Sequence, residues 1–534
     1  MFKSNKNPQF RSKFSEDIFN TKYAHESAET MYELAATLVE DVCQDKLTPS
    51  EKTELTNHIA ELRFLPGGRY LYYAGRPSKF FNNCYLLDCE EDTREDWANL
   101  SWKAESCLMT GGGIGADYSV YRSEGKSLGG TGGISSGPLP KMQMINEIGR
   151  RVMQGGSRRS AIYASLNWKH EDVDKFLLSK NWKDMAVGNT GQTLFDIKQD
   201  DFNFPAPLDM TNVSVNYDTE WLLNYWETGD VGATFKQNVR QALSTAEPGF
   251  SFNFFDKENE TLRNACTEVT ANNHNAADGG DDSDVCNLGS LNFARIDSIN
   301  QLKDIVGLAT KFLICGTLRA QLPYDKVYKV REKNRRLGLG LMGLHEWLIQ
   351  RGSRYETTEE MHRWLKVYEG ESDKVSDSFS DTLGISRPIA KRAVAPTGTI
   401  GIIAGTSTGV EPIFSVAYKR RYLKNRRWHY QYVVDSAAQE MIDLYDTDPD
   451  QIESAMDLAT DYERRLSFQA NIQEYVDMSI SSTINLPAWG TKENNEDLVD
   501  PFANTLARYA HRLRGFTCFP DGSRGGQPLT VVPY

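Results

Sequence analysis

Five residues in three short segments carry the types that chemistry needs. Asn264-Ala265-Cys266-Thr267-Glu268 places an amide, a thiol and a carboxylate at alternate positions. In an extended segment the side chains at i, i+2 and i+4 point the same way, whereas in a helix i and i+2 diverge. Read as extended, the segment offers one ligand a hydrogen-bonding group, a sulfur centre and a general base. Two further thiols stand in apolar surroundings: Cys84, in Asn82-Asn83-Cys84-Tyr85-Leu86-Leu87, and Cys286, in Val285-Cys286-Asn287-Leu288-Gly289. Taken singly, each of the three cysteines reads as a small buried residue of the core. Only their combination points to chemistry.

Other segments suggest binding. Pro396-Thr397-Gly398-Thr399-Ile400 lacks the lysine of a Walker loop, yet its hydroxyls, its glycine and the apolar run that follows can present backbone N–H groups to a phosphate. Gly338-Leu339-Gly340-Leu341-Met342-Gly343 matches the dinucleotide fingerprint in form. The charged run Arg331–Arg336 before it is no buried strand, so close helix packing through small residues is the better reading. Lys419-Arg420-Arg421 and Lys424-Asn425-Arg426-Arg427 read as a solvated face or a counter-field for an anionic substrate.

The elements that must position these groups belong to a large chain. Its 534 residues fit several average domains or one large α/β barrel. A net charge of −13 disfavours sequence-independent nucleic-acid binding, which requires Lys and Arg to neutralise phosphates. Eight cysteines without a CxxC pair argue against a secreted disulfide framework or a zinc ribbon, so no metal site is expected and a reducing cytoplasm is the default. Met1–Lys6 shows no signal-peptide pattern, and no apolar run reaches bilayer length, so no membrane partner is expected. Met31, Leu34, Ala35, Leu38, Val39 and Val42 mark an amphipathic helix. Phe64–Arg69 reads as a turn and Cys84–Leu87 as a short buried strand. Glycine loops follow at 111–115 and 129–133, and residues 271–284 read as a flexible polar loop. The middle of the chain alternates strand-like and helical runs, which predicts an α/β fold. Leu498, Phe502, Leu506 and Leu513 mark a late helix with Gly515 placed to end it, and Phe516–Phe519 a last strand.

In order along the chain, these segments resemble the large subunits of ribonucleotide reductases. Cys84, the glycine loops, Asn-x-Cys-x-Glu and Cys286-Asn287-Leu288 follow that family's layout. So do Gln154-Gly155-Gly156-Ser157-Arg158-Arg159, Asn334-Arg335-Arg336-Leu337-Gly338-Leu339-Gly340, Ala395–Ile400 with Gly409-Val410-Glu411-Pro412, and Asp521-Gly522-Ser523-Arg524. The resemblance implies a ten-stranded α/β barrel with a central finger loop over residues 81–534, behind an N-terminal helical region at 1–80. It implies that Cys266 becomes a thiyl radical and takes the 3′ hydrogen of a ribose. Glu268 takes the 3′-hydroxyl proton, Asn264 binds the sugar hydroxyls, and Cys84 with Cys286 supplies the reducing equivalents, ending as a disulfide. Asn83 and Pro396, Thr397, Gly398, Thr399 and Ile400 would hold the substrate, a ribonucleoside di- or triphosphate. Glu91, Asp92 and Arg122 resemble the site of a dNTP or ATP specificity effector, and the loop 207–214, with Met210 and Asn212, would relay its signal to the substrate base.

The radical source follows from departures within the family. Forms served by a separate ferritin-like metal subunit have adjacent tyrosines near the barrel's end, where this chain reads Thr517-Cys518-Phe519-Pro520; its one Tyr-Tyr pair, Tyr72-Tyr73, lies elsewhere. The Phe64–Arg69 segment is similar to the adenosylcobalamin-dependent class II form, and no glycyl-radical site precedes the C-terminus. Adenosylcobalamin is therefore the expected cofactor, with a radical-generating partner subunit as the alternative. A non-catalytic nucleotide-binding subunit is the third reading, opposed by the intact cysteines, Asn264 and Glu268. No ATP cone is expected before the core, and no cysteine-pair tail before Tyr534. The reductant is then a tail on another polypeptide, an external thioredoxin or glutaredoxin, or a tail lost by truncation. A homodimer in the cytoplasm is expected, that of a host cell if so compact a form is phage-encoded.

Overall fold

A computed structural model describes residues 10–152, 160–425, 427–523 and 529–534. Gln154–Arg159 of the Gln-Gly-Gly segment, Arg426 of the basic run, Arg524 and Met1–Lys6 lie outside the described residues.

The chain enters through the helices Lys13–Lys22, Met31–Cys43 and Pro49–Ala60. The second is the amphipathic helix expected, and all six of its predicted apolar positions are buried. Thr30 caps it, accepting a hydrogen bond from Glu33 N–H, and Thr48 with Glu51 forms a reciprocal capping box on the third. The second and third pack against the long helix Ile299–Arg319 and the first against the helix Gly398–Ala404, in a core that runs from Phe10 to Ile480.

The strands are β1 Phe64–Pro66, β2 Cys84–Asp88, β3 Gly113–Asp117, β4 Ile162–Asn167, β5 Thr211–Tyr217, β6 Gly249–Phe252, β7 Leu262–Arg263, β8 Thr270–Ala271, β9 Asp284–Asn292, β10 Leu337–Met342, β11 Ala417–Lys424, β12 Arg427–Val434, β13 Thr483–Leu486, β14 Gly515–Pro520 and β15 Leu529–Val531. β2 to β6 run parallel in sequence order, with helices in the crossovers, as parallel strands require. β14 joins β6 antiparallel and β13 joins β14 in parallel. On the other flank β9 meets β2 antiparallel, and β10 runs parallel to β9. Two bridges close the ring: Leu339 pairs with Arg392, and Val394 with Ile480, which leads into β13. Ser481 N–H donates to the Val394 carbonyl at 2.8 Å across this seam. The ten-stranded α/β barrel expected from the sequence is the architecture observed. Among the described residues no helix is long and apolar enough to cross a membrane.

Four local readings change. Phe64–Pro66 is a strand, not a turn, because β9 outruns β2 and its second half, Gly289–Leu291, needs a partner. Gly338–Met342 belongs to a buried strand rather than a helix contact. A Cβ on Gly338 would stand 2.3 Å from Leu288 Cδ2, and one on Gly340 2.5 Å from the Ala393 carbonyl oxygen, so the glycines let neighbouring walls close in. The late helix ends at Tyr509, and Gly515 opens β14 instead of capping it. Residues 271–284 are a loop exposed at 275 and 277–279, but its end is packed rather than solvated: Asp281, Asp282, Ser283 and Asp284 are all buried, and β9 begins at Asp284.

Candidate active site

Between β6 and β9 the chain turns into the barrel as a finger. Its hairpin pairs Leu262 with Ala271 and Arg263 with Thr270, leaving 264–269 as the tip. The tip is a tight turn, which corrects the extended reading of Asn264–Glu268. Thr267 N–H donates to the Asn264 carbonyl at 3.0 Å, Thr267 adopts a left-handed φ of 70°, and Val269 N–H donates to Asn264 Oδ1 at 3.0 Å. The turn still delivers Asn264, Cys266 and Glu268 to one cavity, because the hairpin ends there.

The finger passes so close to the wall that β3 must have a glycine. A Cβ on Gly115 would lie 1.7 Å from the Arg263 carbonyl oxygen. The Arg263 guanidinium is fully buried and donates to Asn253 Oδ1 at 2.8 Å and to the Arg514 carbonyl at 2.9 Å. Burial, with Arg514 beside it, lowers its pKa to about 9. The returning limb is held by the Asn334-Arg335-Arg336 segment. Arg336 bonds Asp284 at 3.0 Å and Asp281 at 3.3 Å, and Asn334 Nδ2 donates to both carboxylates at 2.9 Å. The sequence marked this segment only as a resemblance; its task here is to anchor the finger.

Cys84 and Cys286 face each other in register on β2 and β9. Directly opposed residues of an antiparallel pair lie roughly 4.5–5.5 Å apart at Cα, inside the span a disulfide bridges. Asn264 Nδ2 donates to Cys84 Sγ at 3.3 Å, which joins the finger tip to this pair. Burial, and next the Glu268 carboxylate, pushes the Cys84 thiol well above its ordinary range; burial does the same to Cys286, with Arg336 opposing. Both therefore stand as neutral thiols. Burial also lifts the Glu268 carboxyl to about 7, against the Asn264 hydrogen bond that lowers it. Of the eight cysteines, Cys266 is exposed and the others are buried.

A cavity of about 230 Å³ brings these groups together. Asn83, Cys84, Asn264, Cys266 and Glu268 line it, and Pro396–Ile400 closes its far side. Asn83 Oδ1 and Glu268 Oε2 are buried there without a hydrogen bond from the protein. Thr397 has a left-handed φ of 53° and starts the helix Gly398–Ala404; its Oγ1 accepts from Gly409 N–H at 2.9 Å, tying the two halves of the expected phosphate segment. Arg69, which the sequence did not single out, also lines the cavity, donating to the Thr110 carbonyl at 2.5 Å and the Phe80 carbonyl at 3.1 Å.

The expected effector residues separate. Asp92 and Arg122, paired at 2.7 Å, line a second cavity of about 680 Å³ with the glycine loop at 129–130. Glu91 is exposed beside it, off the wall. Met210 and Asn212 line neither cavity, and the segment read as a loop becomes β5 from Thr211 onward. Asn212 Nδ2 instead donates to the Ala265 carbonyl at 3.1 Å. A third cavity, about 710 Å³, meets the 230 Å³ one at Gly398. Its wall includes Phe519 of β14 and Tyr418, Arg420, Gln431 and Tyr432 of the β11–β12 hairpin. The basic run is this hairpin, with Lys419 over the Tyr430 ring at 4.5 Å and Trp428, Tyr430 and Tyr432 exposed.

The family model for the ribonucleotide reductase barrel domain matches residues 82–195, 218–369 and 389–514. The chain belongs to the ribonucleotide reductase barrel family. It is a ribonucleotide reductase catalytic subunit, whose family chemistry is thiyl-radical reduction of ribonucleotides to deoxyribonucleotides. Its relatives span more than one kind of reductase. The vitamin B12-dependent ribonucleoside-diphosphate reductase of Mycobacterium tuberculosis is 26% identical over 526 residues, covering 89% of this chain and 71% of that one. The ribonucleoside-diphosphate reductase subunit alpha of Chlamydia pneumoniae is 24% identical over 432 residues, covering 72% and 39%. The structure of the class Id ribonucleotide reductase alpha subunit of Actinobacillus ureae superposes with a TM-score of 0.73 at 15% identity, over 97% of this chain and 99% of that one. At that identity the ribonucleotide reductase likeness is one of fold.

Proposed function

We propose that Cys266 carries the thiyl radical and that Glu268, Asn264, Cys84 and Cys286 complete the reaction around it. The observation that carries this is the convergence of the exposed Cys266 with Glu268, Asn264 and Cys84 on one cavity, with Cys286 in register behind Cys84. The Cys266 sulfur takes the 3′ hydrogen, Glu268 accepts the 3′-hydroxyl proton, and Asn264 orients the sugar. Cys84 and Cys286 are oxidised to a disulfide as the 2′ oxygen leaves as water, so a ribonucleotide and a dithiol become a deoxyribonucleotide, a disulfide and water. Asn83, Pro396 and the N–H groups of Thr397, Gly398, Thr399 and Ile400 hold the substrate, a ribonucleoside di- or triphosphate. The region before residue 81, helical apart from β1 in its described part, supports the barrel domain of 81–534.

The 680 Å³ cavity, with Asp92 and Arg122, is the effector site for a dNTP or ATP in this reading; Glu91 is exposed off its wall, and Met210 and Asn212, at the start of β5, would relay its signal. Trp102, Met109 and Met144 are exposed on or at the end of the two packed helices Arg94–Leu108 and Pro138–Arg151, which supports a homodimer through those helices. Reduction of the Cys84–Cys286 disulfide falls to a thioredoxin- or glutaredoxin-type protein.

The radical reaches Cys266 from outside the barrel. Adenosylcobalamin would sit in the 710 Å³ cavity, which adjoins the Cys266 cavity at Gly398, with Tyr418, Arg420 and Gln431 to hold it. Such a cofactor supplies a carbon-centred radical when bound. A separate ferritin-like metal subunit is the second reading, supported by Tyr418 and Tyr432 on the wall of that cavity and exposed Tyr430 beside them, which offer oxidisable groups between surface and site.

Two measurements test the proposal. Pre-reduced protein without external reductant should form about one deoxynucleotide per chain while losing both the Cys84 and Cys286 thiols, and Cys286→Ser should form no disulfide. Turnover with adenosylcobalamin alone assigns the first source; turnover only with a metal-loaded partner assigns the second. Full activity in Cys266→Ser would overturn the thiyl assignment.

A further inference from the structure

We propose that Asn212 is a positioning residue for Cys266, fixing the peptide that carries the radical sulfur; the inference rests on the thiyl role of Cys266. Asn212 is in register with Tyr163, and Tyr163 with Gly115, so Asn212 shares the barrel-interior face on which Gly115 admits the finger. From there its Nδ2 donates to the Ala265 carbonyl at 3.1 Å. That carbonyl and the Cys266 nitrogen belong to one planar peptide unit, so holding the oxygen sets the plane from which the Cys266 side chain departs. On the far side of the tip, Ser479 N–H donates to the Glu268 carbonyl at 2.9 Å. The turn is thus held to the wall on both flanks of its reactive residues.

The tether is itself fixed. Asn146, fully buried on the helix Pro138–Arg151, accepts from Met210 N–H and Thr211 Oγ1, both at 2.8 Å, and donates to Asp209 Oδ1 at 3.0 Å. Arg150 bonds the same Asp209 oxygen at 2.6 Å, and Lys180 donates to the Thr211 carbonyl at 2.6 Å. The residues just before Asn212 have almost no freedom, and Asn212 passes that rigidity to the finger. Asn212 is exposed, so its bond adds little to folding. A reacting atom misplaced by about 1 Å nevertheless costs on the order of a hundredfold in rate.

Asn212→Ala and Asn212→Asp test this. Aspartate keeps the shape of asparagine but has no N–H for the Ala265 carbonyl. Both variants should lose about tenfold to a hundredfold in kcat, with KM within about twofold and Tm unchanged. Hydrogen exchange should accelerate in the peptide containing Cys266 and not in the one containing β9. A kcat within about twofold of the wild type in both variants overturns the proposal. A raised KM with unchanged kcat also overturns it, by making Asn212 a substrate contact, and a kcat loss that tracks a falling Tm overturns it by making the role structural. Cys266→Ser is assayed alongside: retained turnover there refutes the thiyl reading, and this proposal with it, whatever Asn212 does.

Discussion

Raising the pH through neutrality should make Glu268 a better base and the protein less stable. The folded carboxyl titrates at about 7, against an ordinary value of 4.5, because it is buried with only the Asn264 hydrogen bond and a backbone bond to favour its charge. Between those two values the folded chain keeps a proton that the unfolded chain has released. The stability this proton gives is therefore fully present below pH 4.5 and is lost as the pH rises through 7. At 1.36 kcal/mol per pH unit the loss totals about 3 kcal/mol, and above the folded pKa it stays constant. Catalysis moves the other way. Only the charged carboxylate accepts the ribose proton, so kcat/KM should rise about tenfold per unit below the folded pKa and level off above it. Initial rates of deoxynucleotide formation, with denaturant unfolding at the same pH values, read both trends. Glu268→Gln should lose about a hundredfold or more in kcat, and its stability should gain about 3 kcal/mol on the wild type across that pH window. A wild-type rate profile that breaks near the ordinary carboxyl value, or stability curves of the two proteins that run parallel, would refute the reasoning.

Gly115→Ala must push the finger off β3, since its Cβ would stand 1.7 Å from the Arg263 carbonyl oxygen. The barrel should still form, with kcat lowered about a hundredfold; normal turnover by a folded variant would show that the finger tolerates displacement. Arg336→Met leaves the buried Asp281 and Asp284 carboxylates without their cation and should cost about 3–5 kcal/mol in denaturant unfolding. Adding Asp281→Asn and Asp284→Asn should recover part of that loss, and a triple variant no more stable than Arg336→Met alone would count against the ion pair as the cause.

The family was legible because segments spread along the whole chain resemble it in order, and the candidate reactive groups stood out because chemistry restricts their types. Their geometry was less legible. Alternation predicted an extended Asn264–Glu268, but the strands flanking it are two residues each, too short for a period to register. What brings the three side chains together is a turn that Asn264 closes on itself. Long-range pairing hid most of the rest. Asp281 and Asp284 sit in a run of polar residues that locally looks solvated, and the cation and amide that make their burial tolerable, Arg336 and Asn334, come some 50 positions later. Gly338 and Gly340 looked like helix contacts because a wholly buried strand shows no alternation to announce itself.

Under the proposed roles, the meeting of β2 and β9 explains why the reductant is a pair of neutral thiols next to a titrating carboxyl. β9 begins at Asp284, anchored by Arg336, and two residues later it presents Cys286 to Cys84. A lone buried thiol would be inert, since burial disfavours the thiolate that attacks or is oxidised. Here that disadvantage has a use under the proposed roles. As Glu268 gives up its own proton it raises the Cys84 thiol further, so Cys84 stays protonated when the carboxylate is ready to accept from the substrate. Base and proton donor are thereby held in opposite states across one cavity, at a pH where two solvated groups of these types would not be so arranged. Loss of the 2′ oxygen as water needs a proton as well as electrons, and a neutral dithiol brings both. The register of two strands and the burial they share set that arrangement before any substrate enters.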